Sequence, residues 1–373
     1  MMKTIKVAIL GGSGYGAGEL LRLLTQHPHV EVVSVVTSSQ AGQRVDAVHP
    51  HLRGFYDLVM TERIEFDRLL GGEHAVVFSA LPNGSSGTTI EAVMRQVSPG
   101  APEVRDPAGR HGLRVIDLSG DFRLTRREAH ETHYAETPWM AELRSRFVYG
   151  FPELNRDRVR GATCIANPGC LASASILAAA PLVSGGFRGT VVVDAKTGSS
   201  GSGRQLKETT HHPTRHADFR AYKPLAHQHE PEILQAWGDA AGERIALSFV
   251  AQSMDVTRGI FVTAHVTLDE AAAAALAPAG LSAPTVESLA QRYRMFYAGS
   301  PFVRVIEGSP TLQDVVGSNF CDLGVAVRGR QVIAMAALDN LVKGMAGTAI
   351  QNMNLMCGLE ETAGLWRPSV RPV

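Results

Sequence analysis

Three features of the sequence predict an α/β protein built in two parts. A short apolar run, Lys6-Val-Ala-Ile-Leu10, feeds a glycine-rich turn and then leucines at helical spacing. Apolar runs and helical stretches alternate from there to Ala166, the pattern of a parallel sheet with helical crossovers. Beyond Cys170 the character changes, with strands expected at 190–195, 245–251, 260–268 and 332–338 and helices between them. The reading is a Rossmann-type parallel-sheet domain over 1–169, then an α+β domain with a mostly antiparallel sheet over 170–340. A C-terminal helix, 341–373, is expected to pack back onto the first domain.

Composition sets the outer limits. A length of 373 residues argues for two domains, or one with an insertion, and 45% hydrophobic residues against 19% charged can bury a sizeable core. Lys+Arg and Asp+Glu both number 36, so there is no basic excess for nucleic acid. The apolar start is too short for a signal peptide, and no run of about 18 apolar residues suggests a membrane span. Four scattered cysteines without a CxxC pair fit reduced thiols in a cytoplasmic enzyme better than disulfides or zinc.

The turn Gly11-Gly12-Ser13-Gly14-Tyr15-Gly16 lies between the first strand and a helix over 19–26. In a dinucleotide site such glycines admit the pyrophosphate, which rests on the helix N-terminus; a plain tight turn is the bland alternative. The second strand, 30–36, ends in Thr37-Ser38-Ser39-Gln40 with no acid to bond a ribose 2′-hydroxyl. Hydroxyls, amides and nearby Arg44 would tolerate a 2′-phosphate, so NADP is the expected cofactor, unless Ser38 and Ser39 only cap a loop. Strands at 75–80 and 114–119 flank a helix over 88–97, and the Pro/Gly/charged stretch from Ser98 to Gly112 reads as a surface loop. Pro82 and the segment Asp117-Leu-Ser119-Gly-Asp121-Phe-Arg123 follow strand ends, where such sheets bind ligands. Asp121 and Arg123 either contact substrate or pair with one another.

The chain is organised around Asn167-Pro168-Gly169-Cys170, where a strand turns into a helix of small and apolar residues. Pro168 and Gly169 form a tight turn that leaves the sulfur at the helix N-terminus. Amide N–H groups and the helix dipole favour a thiolate there, the nucleophilic form. A buried structural cysteine is the bland reading. The later loop Thr197-Gly-Ser199-Ser-Gly201-Ser-Gly-Arg204 offers amides, hydroxyls and a cation suited to phosphate; a linker is its alternative. A histidine-rich stretch follows, from His211 to His229 with Tyr222 within it. His227 and His229, expected in an extended segment, would point to opposite faces, which argues against a metal and for acid–base work beside a cysteine.

Taken in order, these motifs resemble the N-acetyl-gamma-glutamyl-phosphate reductases of arginine biosynthesis, relatives of aspartate-semialdehyde dehydrogenase. The carriers are Gly11 to Glu19, His49-Pro-His-Leu-Arg53-Gly, Asp117 to Arg123, Asn167 to Cys170, Gly198 to Gly203, His227-Gln-His229-Glu-Pro-Glu-Ile233 and Asp339-Asn340-Leu-Val-Lys-Gly344. Gln228 stands where the family commonly has arginine. The resemblance implies attack of Cys170 on an acyl phosphate, a thioester, and its reduction by NADPH to a semialdehyde. It implies proton exchange by His227, with His229 second and Tyr222 as helper. Cofactor contacts are expected from the glycine turn, Ser38, Ser39, Arg44, Pro82, Ser199, Gly201 and Asn340. Substrate contacts are expected from Ser119, Arg123, Asn167 and Arg204. The second domain would be catalytic and would carry a homo-oligomer, a dimer or tetramer. Thr210 to Arg215 and Tyr222-Lys-Pro also resemble the sister reductases of lysine biosynthesis, whose aminoadipyl phosphate rides on a small acidic carrier protein. A cysteine hydrolase and a non-catalytic NADP-binding protein are the rivals from other classes.

Overall fold

The computed structural model describes residues 5–97, 112–241 and 245–372. The chain divides into two compact units, Met1–Pro168 with Met345–Trp366, and Gly169–Gly344 with Arg367–Val373. Among the described residues, no helix is long and apolar enough to cross a membrane. Apart from Gly112, the stretch expected as a surface loop from Ser98 lies outside the described residues.

The first unit is built on a six-stranded parallel sheet: β1 (Ile5–Leu10), β2 (Val30–Val36), β3 (His74–Ser79), β4 (Arg114–Asp117), β5 (Phe147–Tyr149) and β6 (Cys164–Ala166). Their order is β2-β1-β3-β4-β6-β5. Strand order therefore reverses beside β1, and the crevice outside its carboxyl end is where doubly wound sheets bind ligands. The helix Tyr15–Leu24 follows directly, burying Leu20, Leu21, Leu23 and Leu24 on the sheet.

The second unit is built on a mixed sheet of β7 (Gly189–Thr197), β8 (Arg220–Tyr222), β9 (Ile245–Ser253), β10 (Ile260–Thr267), β11 (Val303–Val305), β12 (Cys321–Arg328) and β13 (Gln331–Leu338). The order is β11-β12-β13-β10-β7-β9-β8, with β7–β9 and β11–β12 parallel and the other pairs antiparallel. The helix Cys170–Ser184 packs on β10 and β13 and buries thirteen of its fifteen residues. Pro181 cannot donate to the Leu177 carbonyl four residues earlier. The Tyr297 hydroxyl donates to that carbonyl at 2.8 Å, and Tyr293 donates to the carbonyl of Ala178 at 2.6 Å. The helix Val286–Phe296, with Tyr297 at its C-cap, thus supplies the donor that proline lacks.

Two expectations change. The C-terminal helix is short: a π-turn at Val342–Ala346 leads into Gly347–Met356, and Gly358 then takes a left-handed φ of +68°, the usual helix stop. Residues 367–373 belong to the second unit, where the Val370 N–H bonds the carbonyl of Val316 at 3.0 Å. Strand β12 has no counterpart in the sequence reading, because Gly324 interrupts its apolar pattern. That glycine is required by packing: a β-carbon there would overlap the carbonyl oxygen of Gly308.

Where β3 and β4 end, a buried polar network replaces apolar packing. Asp117 accepts from the Ser86 hydroxyl at 2.6 Å and from the Ser119 amide and hydroxyl at 3.0 and 2.7 Å. Burial, with Asp121 nearby, pushes its carboxyl up to about 6.

Two stability predictions follow from these contacts. Gly324→Ala should lower unfolding free energy by about 1–3 kcal/mol, read from urea melts, because the added methyl meets backbone. The native Asp117 carboxyl holds its proton more tightly than in the unfolded chain. Its contribution to stability is therefore complete below about pH 4 and is lost as pH rises through about 6. The pH profile of the melting temperature should lose that slope in Asp117→Asn.

Candidate active site

Cys170 is the first residue of its helix, with Gly169 as N-cap and no capping side chain. The helix N-terminus therefore presents backbone amides beside a half-buried thiol. None of the four cysteines is in a disulfide. Burial raises the Cys164 and Cys357 thiols to about 11, which keeps them protonated and unreactive. Gly169 has an ordinary φ of −74°, so turn geometry is not what demands glycine there. The demand comes from His229, whose Nε2 occupies the space a β-carbon would need. The Gly169 N–H donates at 2.7 Å to the fully buried carboxylate of Glu232. Across the cysteine, the backbone of Gly344 approaches so closely that a β-carbon would lie 2.7 Å from that of Cys170.

His227 and His229 are not in an extended segment. A turn, closed by the Glu230 N–H bonding the His227 carbonyl at 2.9 Å, leads into the helix Glu230–Ala241 and brings the two rings to 4.7 Å in edge contact. Both are buried. The His229 backbone N–H donates to His227 Nδ1 at 3.1 Å, so a neutral His227 carries its proton on Nε2. The His227 ring also meets Tyr222 at 5.5 Å and Phe249 at 5.4 Å. Burial, and then the negative charge of a Cys170 thiolate, push the Tyr222 phenol well above its ordinary value. It stays a neutral hydrogen-bond donor within electrostatic reach of the sulfur.

The other histidines of the stretch, His211, His212 and His216, are exposed, with the last two stacked at 5.1 Å. Lys223 Nζ donates to the side-chain oxygen of Gln228 at 3.2 Å. Among the described residues, no group of three or more metal-ligating side chains is assembled.

The glycine-rich turn of the first unit fits a dinucleotide. Gly11 has a φ of +79°, and a β-carbon there would lie 2.7 Å from the Ala80 carbonyl oxygen. A β-carbon at Gly12 would lie 2.5 Å from Val35. Ser13 completes the turn, Gly14 is the uncapped N-cap of the next helix, and half-exposed Tyr15 and Gly16 begin it. Buried His49, whose motif carried no assigned role, braces this turn through an Nε2 bond to the Gly12 carbonyl at 2.7 Å. Ser38 and Ser39 are exposed beyond β2. Arg44 is exposed and held by Asp46 and Asp57 at 3.0 and 2.7 Å, which raises its pKa further. Pro82 is exposed after β3, and its carbonyl accepts the Ser85 and Ser86 amides.

The expected substrate contacts of the first unit are engaged elsewhere. Arg123 is buried, donating at 2.8 Å to the carbonyls of both Asn167 and Leu118, and it does not pair with Asp121. Asp121 instead accepts from the Gly84 and Gly87 amides at 2.9 and 2.8 Å, at the start of the helix Ser86–Val97. Ser119 bonds Asp117, and the Asn167 side chain joins the Met345 carbonyl and Asn352, each at 3.1 Å. Each of these polar groups anchors a loop of the first unit. In the second unit Ser199 and Gly201 lie on the one-turn 3₁₀ helix Ser199–Ser202, and Arg204 beyond it is exposed. Buried Asn340 holds this turn, donating to Ser200 Oγ at 2.9 Å and accepting from the Gly259 amide at 2.7 Å.

Glu232, Gly344 and His49 are the site residues that sequence reasoning missed. Only the position of Glu232, one helical turn after His229, hinted at a role.

The profile described as "Semialdehyde dehydrogenase, NAD binding domain" matches residues 6–162, and "Semialdehyde dehydrogenase, dimerisation domain" matches 170–340. N-acetyl-gamma-glutamyl-phosphate reductase of Symbiobacterium thermophilum is 42% identical over 369 residues, covering 97% of each chain. The protein of that name from Pelotomaculum thermopropionicum is 38% identical over 374 residues, 99% of each. Among solved structures, aspartate semialdehyde dehydrogenase with NADP from Candida albicans gives a TM-score of 0.68 at 15% identity, covering 95% of this chain and 98% of that one, a likeness of fold. Identity along nearly the whole length, with the two domain matches falling on the two sheets, settles the assignment: the chain belongs to the N-acetyl-gamma-glutamyl-phosphate reductases of the semialdehyde dehydrogenase family.

Proposed function

We propose that this protein reduces N-acetyl-glutamyl 5-phosphate to N-acetyl-glutamate 5-semialdehyde, releasing phosphate, with NADPH as reductant. The observation that carries the reading is Cys170 at an uncapped helix N-terminus, with His229 and Glu232 both seated on Gly169 beside it. The relatives' name favours the free acetylglutamyl substrate over a carrier-bound aminoadipyl phosphate.

The Cys170 thiolate attacks the acyl carbon, the C–O bond to phosphate breaks, and a thioester remains. This divides one hard displacement into two easier steps. The turn from Gly11 to Gly16 and the amides at the start of the helix Tyr15–Leu24 would hold the pyrophosphate of a dinucleotide, which would supply the hydride when bound. Ser38, Ser39 and Arg44 suit a 2′-phosphate. The exposed pairs Arg44 makes with Asp46 and Asp57 are weak enough for a phosphate to replace. After hydride addition Cys170 carries a thiohemiacetal, which collapses to aldehyde and thiolate. His229 is the better proton carrier for thiol and hemiacetal oxygen, because its Nε2 lies against the residue preceding Cys170. His227, its Nδ1 already accepting a bond, orients that ring. Tyr222, held neutral, keeps a hydroxyl proton to offer within electrostatic reach of Cys170. Ser199 and Gly201, on the turn that Asn340 holds, and Arg204 just beyond it suit a phosphate.

The dimerisation-domain match supports a homo-oligomer formed through the second unit. Cysteines without disulfides support a cytoplasmic setting.

Cys170→Ala should bind NADPH like the parent and lose all measurable reduction, followed as absorbance of the reduced nicotinamide with N-acetyl-glutamyl phosphate. Turnover in that variant would sink the mechanism. His229→Asn should lower kcat by about 10²- to 10⁴-fold, the range for a general acid–base group. His227→Asn should cost less, and the reverse order would return the proton to His227.

A further inference from the structure

We infer that Asp339 and Arg258, paired beneath the nucleophile, are positioning residues that fix where the Cys170 sulfur sits. The inference deepens the proposed reading of Cys170 and rests on it. Asp339 is fully buried at the end of β13, and its two carboxylate oxygens take the Arg258 guanidinium at 3.0 and 3.3 Å. The same oxygens accept backbone amides from Leu341 at 2.8 Å, Val342 at 3.1 Å and Gly317 at 2.7 Å. Its own carbonyl accepts the Gly344 amide at 2.9 Å. One carboxylate therefore folds the turn from Leu341 to Gly344, and Gly344 is the backbone wall pressed against Cys170.

Arg258 ties this turn to a second loop. Its neighbours Thr257 and Gly259 hold the 199–202 turn: Ser200 donates to the Thr257 carbonyl at 2.7 Å, and Gly259 bonds Asn340, which donates to Ser200. A continuous set of bonds thus runs from the Ser199–Ser202 turn through Arg258 and Asp339 to the wall behind the sulfur. A bidentate pair on a fully buried carboxylate that also accepts three backbone amides is rigid, and removing the arginine leaves that buried charge uncompensated. A shift of about 1 Å in a nucleophile can cost about 100-fold in rate.

Asp339→Asn and Arg258→Lys test this, since each keeps a polar group of similar size but loses the paired fork. Each should lower kcat about 10- to 100-fold while KM and NADPH affinity change less than about twofold. Alkylation of Cys170 by iodoacetamide, read by mass spectrometry of its peptide, should slow in step with kcat, and circular dichroism should remain that of the parent. Gly344→Ala, which pushes directly on Cys170, should reproduce the kcat loss without touching the pair. Should Asp339→Asn not fold, Arg258→Lys and Gly344→Ala carry the same test. Parent-like kcat and alkylation in the folded variants would overturn the inference, as would losses confined to KM. A parent enzyme inert toward N-acetyl-glutamyl phosphate would refute the reductase reading alone, because the alkylation rates still report on the pair.

Discussion

The candidate site of the second unit depends on the close packing at Gly169. One residue before Cys170, the backbone has no β-carbon, and the missing atom's place is taken by His229 Nε2. The N–H of the same residue is fixed by Glu232 from the following helix turn. Any other amino acid at 169 would evict the imidazole from this position. The conformation of the turn imposes no such limit, since φ is −74°. The constraint is one of space against the backbone of residue 169, and chain flexibility has no part in it.

That packing needs a rigid platform, and the Cys170 helix supplies one by being apolar on all sides. A helix of that kind is stable only when enclosed, and here a sheet lies on one side and helices on others. Enclosure creates a difficulty at Pro181, which leaves carbonyls without helical donors. Tyr293 and Tyr297 answer it with hydroxyls that carry no charge into the core. The pattern recurs at the site, where Tyr222 is kept neutral by burial.

Much of this was legible in the sequence, for identifiable reasons. The parallel strands are long apolar runs bounded by glycine, and periodicity finds them. The turn at Asn167–Cys170 announces itself because proline and glycine before a small-residue helix have few other uses. What stayed hidden depends on contacts between residues far apart in the chain. Strand β12 went unassigned, and the Gly308 carbonyl that demands glycine at 324 lies elsewhere in the sequence. The bonds of Arg123 to the backbone carbonyls of Asn167 and Leu118 were hidden too, because no side-chain motif records a carbonyl partner. The two histidines were assigned to an extended segment because the turn that brings their rings together is stabilised by a backbone bond.

Glycine has a distinct meaning on each side of Cys170. Gly169 gives room to a histidine, whereas Gly344 brings in a backbone held by Asp339. One side is responsive, because an imidazole gains and loses protons. The other is fixed, because its geometry is set by a buried carboxylate with an arginine and amides arranged around it. In the proposed mechanism a thiol attacks, holds a thioester and then leaves, and the two glycines divide what that would require. Gly344 brings in a fixed backbone, and Gly169 makes room for the imidazole that would carry the proton.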